Sequence, residues 1–155
     1  MASEIERRFV VRGDGWRGAA TGARRLRQGY LAREEGVTVR LRLEPGAARL
    51  TIKGPGGLVR AEYDYPLPPA EAEEMLDRLC AGRRLAKTRH KVRHGGLLWE
   101  VDVFEGPLDG LVVAEVELPR PDHPLDLPPW AGREVTDDPR YANAALASAA
   151  APPLG

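Results

Sequence analysis

The sequence predicts a mainly β domain, all-β or α+β in class, whose strands close into a barrel with a few flanking helices. Three observations carry this expectation. Apolar and polar residues alternate with period two along most of the chain, the signature of strands with two unlike faces. Glycine and proline, 17 and 14 of 155 residues, are too frequent for a coiled coil or helix bundle. One segment has clear helical character, and the roughly eight alternating runs around it are closely spaced.

The elements follow in order. Ile5 to Val11 is the first expected strand, and Gly13 to Gly22 a loop or short helix. A second strand starts at Gln28-Gly29-Tyr30-Leu31-Ala32. Val37 to Leu43 alternates strongly, turns at Pro45-Gly46 and returns over Arg49 to Lys53 as a hairpin. Gly54-Pro55-Gly56-Gly57 closes that strand, and Leu58 to Tyr65 is the next. Pro66-Leu67-Pro68-Pro69 is read as a break before a helix over Ala70 to Leu79, with acids in its first turn and Met75, Leu76 and Leu79 as its apolar stripe. Strands resume over Arg84 to Arg93, Leu97 to Phe104 and Leu111 to Leu118, with turns at Gly95-Gly96 and Gly106 to Gly110. A proline-rich segment from Pro119 to Pro129 leads to a short helix near Pro139 to Leu146. No repeat or linker interrupts this, so residues 1–147 are expected to be one domain and 148–155 a flexible tail.

Composition bounds the function. The 23 basic and 23 acidic residues cancel, leaving no global field for nucleic acid or an anionic membrane. The single cysteine, Cys80, lies in the helical stretch and reads as a packed thiol; it allows no internal disulfide and no cysteine-based zinc site. Acids near the start, at Glu4 and Glu6, stand where a signal peptide needs an apolar run, and no apolar stretch reaches membrane-span length. A cytoplasmic protein without a membrane partner is the simplest expectation. The oligomeric state is left open, a homodimer included.

The polar faces of the strands are unusual because nearly every residue on them is charged. Glu4, Glu6 and Arg8 share one face; Arg40 and Arg42 another; Thr51 and Lys53 a third. Arg60, Glu62 and Asp64 lie together, as do Lys87, Arg89, Lys91 and Arg93, then Glu100 with Asp102, and Glu115 with Glu117. One such face is ordinary solvated surface. So many in one chain raise the alternative that they line a barrel, with Val39/Leu41/Leu43, Trp99/Val101/Val103 and their equivalents packing outward. Rows of like charge need something of opposite sign opposite them. Acid pairs offer oxygen ligands for Mg²⁺ or Mn²⁺, and Arg and Lys offer donors for phosphate oxygens. A metal-bound polyanion fits both halves.

Glu4-Ile5-Glu6-Arg7-Arg8-Phe9 resembles the ExExK signature of CYTH domains, the triphosphate tunnel metalloenzymes. The resemblance continues in order through Gln28-Gly29-Tyr30-Leu31, Thr38-Val39-Arg40-Leu41-Arg42, Leu50-Thr51-Ile52-Lys53-Gly54, Arg60-Ala61-Glu62-Tyr63-Asp64-Tyr65, Lys87-Thr88-Arg89-His90, Trp99-Glu100-Val101-Asp102-Val103-Phe104, Ala114-Glu115-Val116-Glu117-Leu118, Val135-Thr136-Asp137-Asp138 and Tyr141-Ala142-Asn143. It implies an eight-stranded antiparallel barrel around a tunnel, and divalent-metal-dependent hydrolysis of a triphosphate, with inorganic tripolyphosphate first among substrates. It implies Glu4, Glu6, Glu115 and Glu117 as metal ligands with Glu62 and Asp64 nearby. Arg40, Arg42, Lys53, Lys87 and Arg89 would grip phosphate, with Arg60 a weaker candidate. Arg8, with Glu4 and Glu6, would stand at the reacting centre.

Arg8 replaces the lysine of that signature, and a guanidinium is bulkier and planar. His90 stands where relatives often carry tyrosine and reads as a surface or supporting residue; His94 and His123 read as surface. Alternatives within the same resemblance are ATP cyclisation, as in class IV adenylate cyclases, and thiamine triphosphate hydrolysis. A non-catalytic polyphosphate- or nucleotide-binding module is the alternative from another class. Cyclisation needs a purine pocket, and Trp16, Trp99 and Trp130 are too scattered to make one.

Overall fold

A computed structural model describes residues 3–154. Nine strands are arranged in the order β5-β4-β3-β2-β6-β7-β8-β1-β9, and an additional β5–β1 pairing closes eight of them into an antiparallel barrel. The strands are β1 (Ser3–Val11), β2 (Ala20–Glu34), β3 (Val37–Glu44), β4 (Ala47–Lys53), β5 (Val59–Leu67), β6 (Arg84–His94), β7 (Leu97–Phe104), β8 (Val112–Glu117) and β9 (Ala131–Glu134). Helix α1 spans Pro69–Leu79 and α2 spans Asn143–Leu146.

Four expectations need correction. Strand β2 begins at Ala20, well before Gln28, because its first half pairs with β6 through Ala20↔Val92 and Ala23↔His90. Strand β5 runs through Pro66 to Leu67. Proline is tolerated there because β1 pairs with β5 only at Val59, Arg60 and Ala61, leaving that edge without a ladder partner near Pro66. Strand β9, unforeseen beyond the proline-rich segment, adds to β1 through Phe9↔Glu134 and Val11↔Ala131. The C-terminal helix is a 3₁₀ turn over Pro139–Tyr141 followed by the four-residue α2.

Strand parity sorts the chain as alternation demands. The apolar faces of β1, β7 and β8 point outward, where Phe9, Trp99, Val101, Ala114 and Val116 are covered by Trp16 and Trp130. The outer faces of β3 and β4 are covered by α1, whose Ala72 and Leu76 pack on Leu41, Leu43 and Ala48. Gly29 on β2 permits that approach: a Cβ there would lie 2.6 Å from Leu76 Cδ1 and 2.7 Å from Cys80 Cβ. Cys80 is accordingly buried.

A third cluster fills one end of the barrel interior. Tyr30, Leu85, Phe104 and Val113 point inward and meet Tyr141, Ala144, Leu146 and Ala147 of the C-terminal segment. That end is plugged by apolar side chains, and the charged faces surround what remains. The tail lies against the body: Ala149 packs on this cluster and Arg140 donates to the Leu154 carbonyl at 2.7 Å. No helix among the described residues is long and apolar enough to cross a membrane.

Candidate active site

The remaining interior is a cavity of about 550 Å³, lined from all eight barrel strands and by the C-terminal segment. Of the predicted residues, Glu4, Glu6, Arg8, Arg40, Arg42, Lys53, Arg60, Glu62, Asp64, Arg89, Glu115 and Glu117 all line it. Lys87 stands behind the lining, fully buried. Lys91 shares parity with Lys87 and Arg89 but is exposed at the end of β6, outside the cavity.

The acids cluster on β1, β5, β7 and β8. Glu6 is the direct partner of Glu117 across β1 and β8, and Glu100 of Glu115 across β7 and β8. Such like-charge pairs are destabilising on their own. Arg8 spans part of this group, donating from Nη2 to Glu6 at 3.2 Å and from Nε to Glu115 at 3.3 Å. Lys53 donates to Glu4 at 2.7 Å and lies 3.6 Å from Glu62.

The crowding shows in proton affinity. Burial, then the Glu115 charge, pushes Glu6 up to about 8, and burial with neighbouring Glu4 pushes Glu62 up to about 7. Glu117 is raised by burial and then by Glu4 and Glu100. Burial works against the Glu115 carboxylate too, yet Arg8, Arg89 and Lys87 hold it well below the usual range.

The cations divide into two groups. Arg89 is tied down, bidentate to Asp102 at 2.8 and 2.9 Å and 3.2 Å from Glu115. Arg40 and Arg42 have no carboxylate partner among the described residues. Neutral groups orient them: Arg42 Nε donates to Gln28 Oε1 at 2.9 Å, and Arg40 Nη2 to Thr51 Oγ1 at 3.1 Å. The Thr51 hydroxyl in turn donates to Asp64 at 2.9 Å. Arg40 Nε is buried without a hydrogen-bond acceptor. Burial, with Arg40 and Arg89 nearby, pushes Arg42 down to about 9, still cationic at neutral pH. Arg60 donates from Nε to the Gly54 carbonyl at 2.9 Å, which fixes it at the loop edging the cavity.

The donor set on the acid side is all oxygen, which suits a hard divalent cation; sulfur and imidazole are absent from the lining among the described residues. Among the described residues, no three acids converge as a closed ion site. Arg8 and Lys53 occupy carboxylate oxygens of Glu4, Glu6 and Glu115, so ligation requires these acids to trade a cationic partner for the ion.

Several lining residues escaped the sequence reading. Arg24 faces inward beside Glu44 at 3.1 Å, and Tyr30 and Arg33 also line the cavity. The signal for Arg24 is the true length of β2, while Tyr30 lies within the expected strand and shares the parity of Gln28. Arg33 faces inward because the β2–β3 register shifts between Tyr30 and Ala32, a bulge that reverses parity. His90 lies on the outside against Trp16, with ring centroids 4.8 Å apart and planes tilted by 59°.

Known proteins are similar to this chain in sequence and fold. The CYTH domain model matches residues 2–145. An inorganic triphosphatase of Acetivibrio thermocellus is 44% identical over 147 residues, covering 94% of each chain. One from Nitrosomonas europaea is 41% identical over 151 residues, covering 94% of this chain and 97% of its own. A crystal structure of an inorganic triphosphatase superposes with a TM-score of 0.68 at 38% identity, covering 96% of this chain and 97% of that one. By family model, sequence and fold together, the chain belongs to the CYTH domain family.

Proposed function

We propose that this protein hydrolyses a phosphoanhydride bond of inorganic triphosphate with a divalent cation, Mg²⁺ or Mn²⁺. The observation that carries this reading is the pair Arg40 and Arg42, held inside a plugged barrel by neutral partners and facing acids crowded on the opposite strands. Uncompensated guanidiniums in a confined site call for an anion, and their forked donors suit phosphate oxygens. The named activity of relatives at 41 and 44% identity supports the same chemistry.

Arg40, Arg42 and Arg89 bind and orient the phosphate chain, while Lys53 and Arg60 grip it near the Gly54 loop. Glu4, Glu6, Glu115 and Glu117, with Glu62 and Asp64 beside them, would hold the divalent ion. When bound, such an ion neutralises phosphate charge and makes water a better nucleophile. Water adds to the terminal phosphorus, the bridging P–O bond breaks, and orthophosphate and diphosphate leave with the water's proton passing to solvent. Arg8, which contacts Glu6 and Glu115, would stabilise the charge that develops on the leaving oxygen. Lys87 contributes from behind the lining through Asp102. Tyr30 is the one aromatic residue in the lining among the described residues, a poor basis for a purine pocket and hence for ATP cyclisation.

The test is phosphate release from tripolyphosphate, thiamine triphosphate, ATP and GTP with each metal, cyclic AMP being measured in parallel. Arg42→Gln should lose at least about a hundredfold in kcat/KM, the usual loss for one transition-state donor. Equal turnover by wild type and this variant would overturn the reading.

A further inference from the structure

At the plugged end, five side chains from four elements form a closed ring. Lys87 Nζ (β6) lies 2.7 Å from Asp102 Oδ2 (β7), and Asp102 takes the bidentate pair from Arg89 at 2.8 and 2.9 Å. Arg89 Nη2 reaches Glu115 Oε2 (β8) at 3.2 Å. The circuit returns through Asn143 of α2, whose Oδ1 accepts from Lys87 at 2.8 Å while Nδ2 reaches Glu115 Oε1 at 3.4 Å. Partner chemistry forces this amide orientation. An ammonium has only donors, so the carbonyl must face Lys87; an ionised carboxylate only accepts, so the NH₂ must face Glu115.

Two cations and two anions make the ring neutral. Asn143 is its one uncharged member and the one not carried by a barrel strand. Lys87 and Glu115 lie two strands apart, and Asn143 links them directly, beside the Arg89–Glu115 contact that already joins β6 to β8. Arg8 approaches the same Glu115 atom, Oε1, at 3.3 Å, so two neighbours decide where that oxygen points. Asn143 also lines the cavity.

We propose that Asn143 is a positioning residue: by closing this ring it aims the Glu115 carboxylate into the cavity and couples the C-terminal plug to ion binding. The inference rests on the function proposed above. It predicts that Asn143→Ala weakens Mn²⁺ binding about tenfold or more, the usual loss when the partner of a metal ligand is removed. Because the effect runs through Glu115, it should disappear when Glu115 is already Gln.

The experiment is a double-mutant cycle of Asn143→Ala and Glu115→Gln in the full chain. It is read by paramagnetic resonance of Mn²⁺ titrations without substrate and by denaturant unfolding of the metal-free protein. Asn143→Ser, polar but too short to span both partners, runs beside the alanine variant in case that variant folds poorly, and should show the same loss. Non-additive Mn²⁺ affinity supports the proposal. Additive Mn²⁺ affinity overturns it, even with coupled unfolding energies, since the ring would then be only structural. If wild type itself binds no Mn²⁺, the proposed function falls and the inference with it; binding by wild type with an additive cycle removes the inference alone.

Discussion

Glu6 and Glu117 face each other directly across the β1–β8 ladder, and Arg8 reaches only the first of them. Glu117 has no ion-pair partner within reach among the described residues, and its proton affinity, like that of Glu6, is raised. Burial comes first in both, then Glu115 for Glu6 and Glu4 with Glu100 for Glu117, so the metal-free fold carries a crowding of acids that ligand binding would relieve. Above about pH 8, where Glu6 is ionised as well, Glu117→Gln should stabilise the metal-free protein by about 0.5 kcal/mol, within the range for a cross-strand charge pair, while weakening Mn²⁺ binding. Denaturant unfolding and a Mn²⁺ titration of the same preparation check both signs. A variant less stable than wild type would show that the pair is not repulsive.

Lys87 makes the fold sensitive to alkaline pH. Burial outweighs the Asp102 charge and moves its pKa from 10.5 down to about 8. Between those values the unfolded chain holds a proton on this lysine that the folded protein has released, so stability rises with pH there. Below about 8 both states are protonated and the full penalty applies; above 10.5 both are neutral and it is gone. Lys87→Met removes this titration but leaves Asp102 to Arg89 alone. The stability of wild type relative to this variant should improve between about pH 7.5 and pH 10, on the order of 2 kcal/mol. A difference flat in pH would mean the buried ammonium carries no penalty.

How far the sequence reaches depends on what each residue's position rests on. Arg40 with Arg42 and Glu115 with Glu117 were legible because strand alternation admits only two sides, and the apolar neighbours Leu41 and Val116 settle which is outer. The same rule fails wherever a backbone irregularity resets the count, as between Tyr30 and Ala32. Strand β9 was not legible: four residues, including Gly132, take their conformation from pairing with β1 and not from an alternating pattern of their own. Nor could local sequence show that Leu146 and Tyr141 plug the barrel, since that depends on where the chain returns after β9.

Gly29 tests the packing that supports this frame. Leu76 and Cys80 lie where its Cβ would be, within 2.6 to 2.8 Å, and its neighbours Gln28 and Tyr30 face inward. Gly29→Ala should push α1 off β2 and cost about 1–3 kcal/mol, the usual range for overpacking. Chemical denaturation measures the loss, and faster labelling of Cys80 by a thiol reagent should accompany it. Unchanged stability would show that α1 shifts freely.

Arg33 offers a test of how substrate enters. The bulge after Tyr30 turns it into the cavity opposite Thr38, and it is exposed with no ion-pair partner among the described residues. The turn beyond it, Glu35-Gly36, has positive φ at both residues, as a two-residue hairpin requires, and so holds the strand end firmly. An exposed cation at the edge of a charged cavity acts on approach more than on chemistry, because its field draws in anions and is screened by salt. Arg33→Gln should lower kcat/KM for tripolyphosphate several-fold at low ionic strength, flatten its salt dependence and leave kcat nearly unchanged; Arg33→Lys should retain most of the wild-type slope. The measurement is kcat and KM across a series of salt concentrations. Loss of kcat with the salt slope intact would place Arg33 at the reacting phosphate instead of at the entrance.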